Sequence, residues 1–236
     1  MAEAWAEKGG PALAAMGGCV ISEPAETRTF AQSGFDSIDA SGGVNLVLRQ
    51  GDYAINAQGP KSKLDKLVIE QDGKTLSIRR EPSMNWFSVN VSDRDVVTVT
   101  APDYKSVAAT GGVDIDASGL RLPVLALKIS GGADFDATSF NVDQLIVDSA
   151  GGGDVNLAGA CKSLKIDASG GADFNGENFA CESATVSASG GADVDARAAL
   201  SASGRASSGA DVHFLGSPAK FVSDQDSGGE VELRAP

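Results

Sequence analysis

The chain has 236 residues, 42% of them hydrophobic, and a net charge of −13 from 19 basic and 32 acidic side chains. That hydrophobic share excludes general disorder, and no run approaches the ~20 apolar residues of a membrane-spanning helix. The acidity argues against nucleic acid as a partner, and one His with three Cys leaves little for a zinc site or a His-based nucleophile relay.

Residues 1–29 form an N-terminal tail with two readings. Glu3 and Glu7 accompany a single Lys8, and the apolar run 12–16 is shorter than a secretory signal requires. Yet Met16-Gly17-Gly18-Cys19 has the shape of a lipoprotein signal end, in which a small residue precedes the Cys that receives lipid. The tail is either a disordered segment with a stray Cys or a degenerate signal lipidated at Cys19.

Residues 30–236 are expected to form one domain. Its first portion, 30–105, is irregular and strand-rich. Strands are predicted at 44–49, 53–57, 67–70, 75–80 and 96–100, with a short turn or helix at 61–66. Asp72-Gly73 is a hairpin signal. Met84-Asn85-Trp86-Phe87 is the one aromatic cluster, either a loop over the end of the core or a contact for sugar or partner. This portion is expected to cap one end of the repeat region.

From 106 onward the chain repeats itself. TGGVDID at 110–116 is followed by SGGADFD, AGGGDVN, SGGADFN, SGGADVD and SSGADVH, and a degenerate SGGEVEL closes the series at 227–233. The leading aspartates Asp114, Asp134, Asp154, Asp173, Asp193 and Asp211 are separated by 20, 20, 19, 20 and 18 residues. SGGVNLVL at 41–48 looks like an isolated upstream copy, 69 residues before Asp114. Apolar residues keep register with the repeat. One column is Ile115, Phe135, Val155, Phe174, Val194 and Val212, and another is Val107, Leu127, Val147, Ile166 and Val186, broken only at Gly204. Alternation around both columns means extended chain with one buried side.

Identical residues at identical register positions favour stacking of like on like over a meander. About 20 residues at ~3.3 Å each make a coil roughly 65 Å around. Seven coils would make a rod about 34 Å long. The expected fold is all-β, a right-handed single-stranded parallel β-helix with ~20-residue coils. The Gly pairs suit corners that need positive φ.

The opening from Phe35 to Gly51, the Leu76-Ser77-Ile78 and Ala101-Pro102 steps, the serial Ser-Gly-Gly/Ala-Asp copies and Gly216-Ser217-Pro218 resemble one known family in order and spacing. It is the putative auto-transporter adhesin head domain, or GIN domain, and the resemblance covers roughly 30–236. It implies a β-helical domain of the bacterial cell envelope with a role in adhesion and no reaction attached. A whole auto-transporter would also need a membrane β-barrel, so a periplasmic or outer-membrane/surface-associated domain, lipid-anchored if Cys19 is modified, is the expectation.

The six leading aspartates should lie on one outer line, with Asp116, Asp136 and Asp195 on a second line interrupted by Asn156, Asn175 and His213. Carboxylates ~4.8 Å apart repel by about 0.9 kcal/mol even in bulk water. Hydrogen bonds from turn N–H groups would offset this. A bound Ca²⁺ is the second reading, with Asp114, Asp134, Asp154, Asp173, Asp193 and Asp211 as its candidate ligands. No other cofactor is expected. Cys161 and Cys181 share one register position in adjacent coils, so they are either disulfide-bonded or a stacked pair of buried thiols. His213, the lone histidine, has no identifiable nucleophile or orienting partner and reads as surface decoration.

The expected function is therefore a non-catalytic adhesion, interaction or scaffold module whose partner is an envelope protein or glycan. Alternatives are a Ca²⁺-stabilised surface rod and a polysaccharide-binding or -processing β-helix. An evenly spaced carboxylate ladder is what stacking produces, whereas a catalytic site would break the repeat locally.

Overall fold

Strictly alternating segments of four to six residues cannot bury their apolar sides alone, and winding the chain into stacked coils gives those sides a shared interior. The computed structural model describes residues 23–81 and 95–234. It is 72% strand and 2% helix, a β-solenoid of about six turns. The last copies contribute the short strands β15 (Asp211–Leu215), β16 (Lys220–Asp226) and β17 (Glu230–Arg234).

Each regular coil has three faces. The first face is built by β8 (Ser106–Thr110), residues 126–130 of β10 (Arg121–Ser130), the later parts of β11 (Asp134–Gly151), β12 (Asp154–Gly170), β13 (Asp173–Ser189) and β14 (Asp193–Ser207), and finally β16. A glycine corner leads to the second face. This holds β9 (Asp114–Asp116), the first residues of β11 to β14, then β15 and β17. The third face stacks Leu122, Val142, Cys161 and Cys181. All these neighbours are parallel. Where the second face turns into the third, register shifts occur between Ala137 and Phe140 and between Asn156 and Ala158. Extra residues at these bends are why the repeat length varies around 20.

The glycine corner is conformationally specific. Gly131 and Gly132 both have positive φ, 65° and 75°, a region in which a Cβ is costly. At two corners a serine takes the first-glycine position and keeps its positive φ, Ser208 at 58° and Ser227 at 52°. The corners stack directly, with the Gly43 amide donating to the Gly111 carbonyl at 3.1 Å and Gly171 to Gly151 at 2.7 Å.

The expected apolar columns face inward. Ile115, Phe135, Val155, Phe174, Val194 and Val212 are all at most 2% exposed, as are Val107, Leu127, Val147, Ile166 and Val186. Gly204 breaks the second column for a packing reason. A Cβ there would come within 2.7 Å of both the Phe214 ring and Val231 Cγ1. Phe140 and Phe179 stack with centroids 5.9 Å apart, and Phe135 meets Phe140 edge-on at 6.3 Å.

The N-terminal portion is not simply an earlier run of coils. β2 (Ser37–Ser41) and β3 (Asn45–Gln50) form a coil around Gly42-Gly43, and this coil lies against β8 and β9. On its other side it pairs, also parallel, with β6 (Thr75–Arg80) and β7 (Val96–Ala101). The chain thus lays down an inner coil first and the outer coil later, and Asn45 and Asp114, 69 positions apart in the sequence, become direct neighbours. Antiparallel strands close this end. β4 (Ala54–Pro60) lies between β7 and β1 (Ala25–Phe30), and β5 (Leu67–Asp72) pairs with β6 through the Asp72-Gly73 turn. α1 (Lys61–Leu64) is the short helix expected near 61–66. Tyr104 is fully buried beneath, its hydroxyl within 2.8 Å of the Val99 carbonyl and 2.9 Å of the Arg49 carbonyl. Cys19, Trp86 and Phe87 lie outside the described residues.

Candidate interaction surface

Alternation along the second face sends every residue next to a buried column outward, so stacking turns two register positions into two continuous outer columns. The first runs Asn45, Asp114, Asp134, Asp154, Asp173, Asp193, Asp211 and Glu230, each paired in register with the next. The upstream Asn45 and the terminal Glu230 extend the ladder beyond the six aspartates. Aligning the upstream SGGVN with SGGAD places Asn45 in this position, so the signal was present in the sequence. The second column runs Asp116, Asp136, Asn156, Asn175, Asp195, His213 and Glu232.

The two columns handle their charge differently. In the second, Asn156 donates to Asp136 at 3.0 Å, the His213 ring pairs with Asp195 at 3.1 Å, and Arg49 lies 3.5 Å from Asp116. Asp116 also accepts the Ser118 amide at 2.9 Å, and its carboxyl is held below the usual range despite partial burial. His213 therefore interrupts a carboxylate stack. In the first column no neutral residue intervenes between Asp114 and Glu230. Asp134 shows the consequence: burial, then the carboxylates of Asp154, Asp114 and Asp136, push its pKa up. A carboxyl raised in the folded state binds more protons than in the unfolded chain between the two pKa values, so its contribution destabilises as pH rises through that window. Asp134→Asn is accordingly expected to raise the melting temperature by about 1–3 °C at neutral pH. The gain should shrink as pH falls towards 4, read by circular dichroism melts across pH.

Between Asp154, Asp173, Asp193 and Asp195 the columns border a shallow hollow of about 330 Å³. Among the described residues no three His, Cys, Asp or Glu side chains converge to hold a metal ion. The six aspartates proposed from the repeats stand side by side along the rod axis.

Cys161 and Cys181 face each other in register on the third face, with sulfurs 2.04 Å apart and Cα atoms 4.4 Å apart. The bond ties coil to coil at the floor of a groove of about 540 Å³, rimmed by Arg121, Asp143, Lys162 and Glu182. Lys162 pairs with Asp143 at 3.0 Å. Sequence reasoning passed over this groove, since its rim residues carry no repeat signature. A loop of 20 residues closed by a disulfide is stabilised by roughly 3 kcal/mol in the chain-entropy account. Cys161→Ala/Cys181→Ala should lose about that much, read as a lowered urea midpoint with a somewhat steeper slope, because the unfolded chain without the cross-link exposes more surface.

The model of a family described as putative auto-transporter adhesin, head GIN domain, matches residues 34–218. A putative adhesin from Bacteroides fragilis NCTC 9343 superposes with a TM-score of 0.78 at 20% identity, over 91% of this chain and 98% of that one. A putative lipid binding protein from Parabacteroides distasonis ATCC 8503 gives 0.64 at 17%, over 89% and 96%. A putative adhesin from Parabacteroides merdae ATCC 43184 gives 0.66 at 15%, also over 89% and 96%. At these identities the likeness is one of fold. No curated protein sequence matches the chain.

Proposed function

Because the chain belongs to the putative auto-transporter adhesin head GIN domain family, we propose that it is a non-catalytic interaction module of the bacterial cell envelope. In this reading residues 30–236 belong to a single domain, and the second face is the working surface. The observation that carries it is the first outer column, which presents a carboxylate in every coil from Asp114 to Glu230. An enzyme needs acid, base or nucleophile converging on one reacting atom. A repeating line of carboxylates instead suits many weak contacts with a partner that presents amino or guanidinium groups. The envelope setting draws support from the family name and from the Cys161–Cys181 bond, since disulfides persist in oxidising compartments.

The test is binding of the full chain to immobilised bacterial envelopes at low and high salt. Saturable binding is expected, weakened about tenfold or more by Asp154→Asn/Asp173→Asn/Asp193→Asn and by high salt, with folding intact. Equal binding by the variant would exclude the second face as the contact surface. Glycan turnover above a heat-denatured control would exclude the non-catalytic assignment.

A further inference from the structure

Among the described residues no strand covers the end of the solenoid formed by β17, and we propose that this end docks on the same end of a second copy through antiparallel β17–β17 pairing. Among the described residues β17 is bonded on one side only, to β15. The Glu230 amide donates to the Ala210 carbonyl at 2.9 Å, and the Arg234 carbonyl accepts from Gly216 at 3.3 Å. By parallel-strand alternation, residues 230, 232 and 234 bond inward while the amides and carbonyls of Val231 and Leu233 point away from the stack. The Val231 carbonyl accepts from Gln225 at 2.8 Å and keeps a second lone pair. A row of outward groups of this kind is a template for another strand.

The side chains say which strand fits. Leu233 continues the interior column, directly over the fully buried Phe214, yet it is 42% exposed, with no described residue stacked on it. A two-fold axis through Glu232 sets Val231 opposite Leu233 of the partner subunit, covering this residue in both chains and pairing all the outward amides. The same register sets Glu230 opposite Arg234 of the partner subunit, twice. Glu232 then meets its own copy, a like-charge contact that Arg234, 3.3 Å away within each chain, offsets. The strand is thus self-complementary in charge and in apolar content, the requirement of an isologous interface.

The test is sedimentation equilibrium of the full chain from about 1 to 200 µM, with charge reversals. A monomer–dimer equilibrium is expected. Arg234→Glu and Glu230→Arg should each weaken it about tenfold or more, since each replaces two attractive pairs by two repulsive ones. The two reversals combined should bring it back to within about threefold of the original. Leu233→Lys, at a position already partly exposed, should weaken the dimer and remove the rise of melting temperature with protein concentration that association gives the original chain, which separates docking from folding. A chain monomeric throughout, a dimer indifferent to these changes, or a combined variant no better than the single ones would each overturn the proposal.

Discussion

Gly159→Ala is expected to cost more than about 4 kcal/mol, a loss in the range reserved for backbone conflicts and broken cores. Gly159 sits opposite Phe140 in the parallel ladder and adopts a φ of 149°. A Cβ on it would lie 1.9 Å from the Phe140 carbonyl oxygen and 2.8 Å from the Phe140 nitrogen. These are backbone atoms, so no rotamer change relieves the clash. The coils must part where the Phe140 and Phe179 rings stack across this position. The loss should appear as a large fall in the urea midpoint, and a fall corresponding to under about 1 kcal/mol would mean that the coils do not touch there.

Asp95→Ala should cost about 3–5 kcal/mol, the penalty for breaking a buried ion pair on one side. The Asp95 side chain is 2% exposed, bonded to Arg80 and 3.9 Å from the Lys63 ammonium. Its own carbonyl accepts from Asn45 at 2.9 Å. Gly59 on β4 lies so close that a Cβ there would come within 2.4 Å of the Asp95 Cβ. The carboxylate therefore ties Arg80 of β6 to Lys63 of α1, while the backbone carbonyl of the same residue holds Asn45 of the inner coil. Removing it leaves the Arg80 guanidinium, 16% exposed, without its counter-charge. Asp95→Asn, which keeps a hydrogen-bond acceptor, should lose less, and chemical denaturation of both variants checks the order. Equal, small losses would show that the pair contributes packing alone.

The coils were legible because stacking forces their chemistry to repeat. Asp134 and Phe135 recur as Asp154 and Val155, then as Asp173 and Phe174, and a period of that kind has no other cause in a chain with one shared interior. The common register of Cys161 and Cys181 followed from the same arithmetic. The order of the N-terminal coils was not legible. β2 and β3 alternate as any half-buried strand does, and nothing local says that β6 and β7 will pair outside them after a long excursion of the chain. Asp95 and Gly159 were equally silent. An acid just before a strand and a glycine in a glycine-rich chain carry no period, and their roles come from contacts with Arg80 and Phe140 elsewhere along the sequence. On the surface, the aspartate ladder could be read from the repeat, whereas the self-complementarity of β17 depends on which edge is left unpaired.

Distances along the aspartate ladder test the stack most directly. With Cys19 replaced by Ser, spin labels at positions 114 and 211 are separated by five coil steps, about 24 Å at ~4.8 Å each. Labels at 134 and 211 should give about 19 Å, four steps of the same size. Pulsed electron-spin resonance reading those two distances would establish one parallel winding per repeat. A separation near 48 Å for the first pair, two strands per repeat in a single layer, would contradict it.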